Sequence, residues 1–130
     1  MSVVVPVLLA SSSCGGGSTG FDGNFRGTLD TTQDCPGQTR TTAPAPVSWK
    51  LARAAGSDAL TVDTGGDCGS FDATAVGDSA ASFSPKTCPS GVQLLAGTLR
   101  IGDGDLLSVS MSLRSAKGCV VGAVGTLERQ

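Results

Sequence analysis

Residues 107–113 read Leu-Ser-Val-Ser-Met-Ser-Leu, and apolar and polar side chains alternate strictly along this stretch. Because successive side chains of a β-strand point to opposite faces, the alternation predicts a strand with one buried face and one solvated face. Turn-forming sequences flank it, Gly-Asp-Gly-Asp at 102–105 and Ser-Ala-Lys-Gly at 115–118. A strand bounded on both sides by short turns is typical of an antiparallel sheet whose strands follow one another along the chain.

Short alternating runs and turn residues recur along the chain, and no helical period is sustained beyond residue 22. Residues 31–45, rich in Thr, Pro and Gln, form the longest predicted loop. The pattern predicts about eight strands, at residues 23–30, 46–53, 58–63, 69–76, 80–86, 92–101, 105–114 and 119–128.

The sequence contains five cysteines, and four of them lie in this strand-rich region: Cys35, Cys68, Cys88 and Cys119. Their wide spacing, without any Cys-x-x-Cys pair, indicates two disulfides in an exported domain rather than a zinc site. The composition alone leaves three connectivities open.

The turn Gly77-Asp78-Ser79 selects one of these connectivities. A hairpin folded about Asp78 places Val76 opposite Ala80, and the same register places Cys68 opposite Cys88, close enough for a disulfide. Cys35 with Cys119 then follows by elimination.

The disulfide pairs also bear on how the sheet closes. In an up-and-down order all four cysteines fall at one end, and the first and last strands are neighbours only if the sheet closes. The prediction is therefore an all-β fold, a small closed or nearly closed up-and-down β-barrel, with a two-sheet sandwich as the alternative. The predicted core comprises Phe25, Leu29, Val47, Trp49, Leu51, Leu60, Val62, Phe71, Phe83, Leu95, Leu99, Ile101, Leu107, Val109, Met111, Leu113, Val121 and Leu127.

A Gly-Thr-Leu triplet occurs three times, at 27–29, 97–99 and 125–127. The unequal spacing argues for similar strand ends rather than a tandem repeat. Glycine within a strand marks sharp coiling or the close approach of another backbone.

The first 18 residues differ from the rest. Residues 3–10 form an apolar run that is too short to span a bilayer, which needs about 20 residues, but suits the apolar core of a secretory signal. Small residues at 11–13 precede Cys14, and a Gly/Ser stretch follows. Residues 8–14 resemble a bacterial lipoprotein signal.

This resemblance implies that Cys14 carries a diacylglyceryl group, becomes the mature N-terminus and anchors the protein to a membrane of the bacterial cell envelope. The chain then divides into a signal segment (1–13), a tether (14–22) and one disulfide-braced β-domain (23–130). An ordinary cleaved signal, giving a secreted or periplasmic protein, and a first strand of the fold are the alternatives.

Composition excludes several functions. The chain has no His, which removes Ser-His and Cys-His mechanisms as well as His metal sites. A net charge of −2 without a basic cluster argues against nucleic acid as a partner. Arg26, Lys50, Arg53, Arg100 and Arg114 are scattered over polar strand faces, a distribution typical of solubility.

Two acidic patterns are candidate sites. Asp63-Thr64-Gly65 resembles the signature of aspartic proteases, but about 0.15 such matches arise by chance in this composition. Candidate calcium ligands lack EF-hand spacing, and Asp-Gly is ordinary turn chemistry; they are Asp63, Asp67, Asp72, Asp103 and Asp105. We therefore predict no catalytic residue, no metal and no cofactor.

The sequence thus predicts a non-catalytic cell-envelope lipoprotein domain with a binding or surface-structural role, whose protein or small apolar ligand is unknown. One alternative is a carrier of a small apolar ligand in a lipocalin-like barrel. Another is an inhibitor of exported proteases, with residues 31–45 as its reactive segment.

Overall fold

The computed structural model describes residues 20–66, 68–102 and 105–130. None of these residues belongs to a helix long and apolar enough to cross a membrane. They form nine strands: β1 (Gly23–Asp34), β2 (Thr41–Arg53), β3 (Ala59–Gly66), β4 (Gly69–Val76), β5 (Ala80–Phe83), β6 (Lys86–Thr87), β7 (Gln93–Ile101), β8 (Leu106–Arg114) and β9 (Val120–Arg129).

The strands pair antiparallel in one sheet, and eight of them close into a barrel. Strands β1 to β5 are neighbours in chain order, β5 pairs with β7, and the order continues through β8 and β9 back to β1. This arrangement confirms the predicted up-and-down barrel and not the sandwich. The short β6 follows β5 and pairs with β7 in the same register as β5 does. The predicted single strand 80–86 is therefore interrupted between β5 and β6, where Pro85 supplies no N–H group.

The seam of the barrel runs between the first and last strands. Residues Phe25 to Asp34 of β1 pair with β9, and Cys35 and Cys119 lie one residue beyond the last pair, with their Cα atoms 4.2 Å apart in a disulfide. A second disulfide joins Cys68 to Cys88, whose Cα atoms are 4.9 Å apart, in the register that sets Val76 opposite Ala80. Both pairings are those that the sequence predicts.

The two disulfides lie at the same end of the barrel, which we call the disulfide end. It carries the loops 35–40, 88–92 and 115–119 and the β3–β4 turn. The opposite end, the terminal end, carries residues 20–22, the connections 54–58 and 77–79, and the C-terminus.

The predicted loop at 31–45 is wrong in its extent. Strand β1 continues to Asp34 and β2 begins at Thr41, so that the loop spans only residues 35–40. Pro44 and Pro46 are tolerated because β3 pairs with β2 only from residue 50 onward, which leaves one edge of β2 free for residues that lack an N–H.

All eight barrel strands contribute to one hydrophobic cluster in the interior. The Phe83 ring meets Trp49 and Phe71 edge to face, with centroid distances of 6.5 and 6.1 Å. No polar or charged side chain is buried within the part of the chain that the structure describes. The largest fully buried side chains are Phe21, Phe25, Leu51, Leu60, Leu94, Leu99, Leu107, Leu127 and Val62.

The core differs from the predicted one in three respects. Leu94 is buried instead of Leu95, because a bulge between Leu94 and Ala96 reverses the alternation of β7. Phe21, within the predicted tether, is fully buried. Four further predicted core residues are only half-buried: Val47, Ile101, Leu113 and Val121.

Two Gly-Thr-Leu triplets meet across the seam. Thr28 of β1 lies opposite Thr126 of β9, and each leucine lies opposite the glycine of the other strand. A Cβ atom on Gly27 would lie 2.6 Å from the Thr126 carbonyl oxygen, and one on Gly125 would lie 2.5 Å from that of Thr28. The predicted close approach of backbones at these glycines is therefore confirmed.

Candidate functional site

The loops of the disulfide end are short turns closed by their own backbone hydrogen bonds. The N–H group of Gln38 donates to the carbonyl of Cys35 over 3.1 Å, and that of Gly91 donates to Cys88 over 2.9 Å. The third turn is closed by Gly118, which donates to Ser115 over 2.9 Å. Loops of defined shape on a rigid scaffold are the usual carriers of binding function.

The Cys35–Cys119 bond joins two of these turns. In one turn, Pro36 precedes Gly37, whose φ of 74° is that of the third residue of a type II turn. In the other, the N–H group of Cys119 donates to the Ser115 hydroxyl over 3.0 Å. Because each cysteine is part of a closed turn or adjoins one, the disulfide fixes the position of the turns relative to one another.

A groove of about 310 Å³ lies between the two turns, above this disulfide. Exposed amide groups and one ammonium group line it, so that it offers mainly hydrogen-bond donors and amide oxygens to a ligand. The lining residues are Gln33, Cys35, Pro36, Gln38, Lys117 and Cys119.

The charge around this groove is positive, although the whole chain carries −2. Arg40, Arg114 and Lys117 are exposed at the disulfide end, and Asp34 lies 3.6 Å from the guanidinium of Arg40. Among the described residues of the two turns and of the strand ends beside them, three cations and one carboxylate leave a local excess of positive charge, which attracts anionic groups.

A larger depression, of about 350 Å³, lies at the terminal end beside Arg53. Its polar groups already have partners within the chain. The Arg53 guanidinium donates to the carbonyls of Ser57 and Gly77 and to the Asp58 carboxylate at 2.9–3.2 Å, and the Arg53 N–H donates to Asp22. We therefore regard this depression as a structural junction and the groove at the disulfide end as the candidate site.

Arg129 holds the N-terminal residues at the terminal end. Its guanidinium donates to the carbonyls of Gly20, over 2.8 Å, and Asp22, and to the Asp105 carboxylate over 3.1 Å. It also lies over the Phe25 ring, 4.7 Å from the centroid. Residues 20–22, the last three of the predicted tether, therefore pack against the barrel.

The Asp63-Thr64-Gly65 triplet has a local role in the structure. The Asp63 carboxylate accepts a hydrogen bond from the Gly65 N–H over 3.0 Å, and the Thr64 hydroxyl donates to the Gly69 carbonyl over 3.1 Å. These bonds lie where the register of β3 against β4 shifts, between Asp63 and Gly66. In the described part of the chain, no group of His, Cys, Asp or Glu is arranged to hold a metal ion.

Cys14, Asp67 and Asp103 lie outside the described residues. The roles of Arg53, Lys86 and Arg129 in closing the barrel ends were missed from the sequence. The ammonium of Lys86 donates to the carbonyls of Cys68 and Ser70.

The position of Arg129 in the sequence nevertheless indicated its role. It lies two residues after the buried Leu127, on the inward-facing positions of β9, where a cation needs acceptors at the barrel mouth.

No protein-family model matches the chain, and neither a curated protein nor a solved structure matches it. Its function is therefore inferred from the geometry of the barrel and of the groove.

Proposed function

We propose that this chain is a non-catalytic, lipid-anchored protein of the bacterial cell envelope that binds an acidic segment of a protein partner in the groove at the disulfide end. The observation that carries the proposal is that the N-terminal segment and the groove lie at opposite ends of the barrel. The N-terminal segment joins the barrel at the terminal end, where Arg129 holds Gly20, and the groove lies at the opposite end.

This arrangement of the N-terminal segment and the groove would orient the barrel on a membrane. Cys14 and Gly20 are six residues apart, so the intervening chain reaches about 20 Å at most. A barrel whose strands have the length of β9 is about 25 Å tall at an ordinary strand tilt. A lipid on Cys14 would thus keep the terminal end near the bilayer and present the groove about 25–45 Å away from it.

The alternatives have less support. Phenylalanine, tryptophan and leucine side chains occupy the barrel interior, which favours a binding surface on the outside over a carrier of an apolar ligand. An inhibitor that a protease recognises as an added strand would have to present an extended peptide. The segment 35–40 instead begins as a type II turn, so the inhibitor alternative has less support. A protein partner with carboxylate groups fits the donors and the positive charge of the groove.

Anchoring is tested in the native host by metabolic labelling with an alkyne fatty acid. The full chain should acquire the label and fractionate with membranes, and the Cys14→Ser variant should lose both properties. Export of an unlabelled full chain, or equal labelling of both proteins, would refute the anchoring part of the proposal.

Binding is tested separately with a photo-crosslinking residue in place of Gln38 in intact cells. A discrete adduct with an acidic protein should form there, but not with the same residue in place of Thr74 on the outer face of β4. Lys117→Glu should weaken the adduct at least about fivefold through charge repulsion, whereas Arg100→Glu, away from the groove, should not. Equal adducts at both positions would show that the groove is not the binding site.

A further inference from the structure

The outer surface of β8, β9 and β1 carries an exposed apolar strip along its middle strand. Val120 and Val124 of β9 are 47% and 51% exposed. Gly122 lies between them, and a Cβ atom built on it would meet nothing within 4 Å. No side chain therefore stands between the two valines, and nothing from the described chain covers them.

A cation and a carboxylate flank this strip at Val120, and the carboxylate, that of Asp34, also lies 3.6 Å from Arg40 of its own chain. Val120 is opposite Arg114 of β8 on one side and Asp34 of β1 on the other. Val124 is opposite the uncharged Ser110 on one side and the Asp30 carboxylate on the other. Since neighbouring strands are about 4.8 Å apart, each flanking group lies about one strand width from the strip.

We infer that a second copy of this chain docks on this face, with a two-fold axis parallel to β9. Such an axis places β8 of one copy over β1 of the other. Arg114 of each copy then faces Asp34 of the other copy, which gives two such pairs. The Ser110 hydroxyl can donate to the partner's Asp30 carboxylate. Val120 and Val124 meet their own counterparts on the axis, so the face is complementary to itself.

At the terminal end of the face, the two copies are expected to lie slightly farther apart. Glu128 would meet its own counterpart on the axis, although Arg26 lies directly opposite it within each chain. Closest contact is therefore expected around Val120 and Val124, towards the disulfide end.

The face is small for an interface between two proteins. Three strands of this length offer about 400 Å² per copy, or about 800 Å² in total. Stable interfaces bury about 1,200–2,000 Å². The dimer should therefore be weak in solution and reversible, with a dissociation constant of about 0.1–1 mM.

Sedimentation equilibrium of the full chain carrying Cys14→Ser, from about 10 µM to about 1 mM, measures this association. Val124→Arg should raise the dissociation constant at least about tenfold, because it places two cations together on the axis. Val76→Arg, at a valine that is 67% exposed on β4, should leave it unchanged. A monomer throughout the concentration range, or equal effects of the two variants, would overturn the inference.

A charge swap tests the geometry of the pair. Arg114→Asp alone should weaken the dimer about fivefold or more, and so should Asp34→Arg. The double variant should recover most of the association, because the swapped charges still face each other across the axis. Circular dichroism verifies folding of each variant, and a folded double variant that is weaker than both single variants would refute the two-fold arrangement.

Discussion

The two disulfides are expected to stabilise the barrel unequally. In the chain-entropy description, a cross-link stabilises by restricting the unfolded chain, and its effect grows with the loop that it closes. The Cys35–Cys119 bond spans 84 residues and the Cys68–Cys88 bond spans 20. Taken singly, these loops correspond to about 4.6 and about 3.3 kcal/mol at 25 °C.

The nesting of the loops lowers both values but leaves their difference unchanged. The 20-residue loop lies inside the 84-residue loop and shortens its effective length to about 64 residues, so that loss of the seam bond costs about 4.3 kcal/mol and, by the same cycle, loss of the inner bond costs about 3.0 kcal/mol. Loss of the seam disulfide should therefore cost about 1.3 kcal/mol more than loss of the other. The seam itself should persist, because backbone pairing of β1 with β9 from Phe25 to Asp34 does not depend on the cross-link.

Guanidinium unfolding of the Cys14→Ser chain measures this difference. Trp49, the one tryptophan of the chain, is buried and reports loss of the core. The comparison is between variants in which both cysteines of one pair are replaced by alanine, which leaves no free thiol. Both should show a larger dependence on denaturant, because the unfolded chain exposes more surface. An equal or larger cost for the 20-residue loop would refute the entropic reasoning.

Three further changes probe the packing. Gly27→Ala should destabilise the barrel by about 1–3 kcal/mol in the same assay, because its Cβ would lie 2.6 Å from a backbone oxygen, whereas Gly122→Ala should stay within about 0.5 kcal/mol. Arg129→Met should cost about 2 kcal/mol and speed proteolytic cleavage near the N-terminal junction; unchanged cleavage would contradict the role of Arg129 in holding residues 20–22. Leu94→Ala should cost about 2–4 kcal/mol and Leu95→Ala about 1 kcal/mol, and the reverse order would argue against the bulge.

The barrel and its disulfides were predictable because two local signals agree. The strict alternation at 107–113 defines which face of a strand is buried. The turn at 77–79 sets a register that carries through to Cys68 and Cys88. A two-residue period leaves little freedom once one hairpin is in register, so the remaining pair, Cys35 and Cys119, closes the seam.

Features that depend on contacts distant in sequence were not predictable. The bulge at Leu95 reverses the alternation in a run of consecutive apolar residues, Leu94, Leu95 and Ala96, which fits either face. The extension of β2 through Pro44 depends on the free edge of that strand. The groove arises only where two turns, about 80 residues apart in sequence, are brought together by the disulfide. Its lining residues have no motif of their own.

The position of β9 between β8 and β1 sets the order in which the barrel can be completed. In a chain that is synthesised or translocated N-terminus first, β1 pairs early with β2, but its second edge waits for the last strand. Until residues 120–129 arrive, the nascent sheet has two open edges that invite pairing with other chains. Cys68 can be oxidised with Cys88 during that interval, whereas Cys35 must stay reduced or be reshuffled until Cys119 emerges. Chains truncated before β9 should therefore aggregate rather than accumulate as folded intermediates.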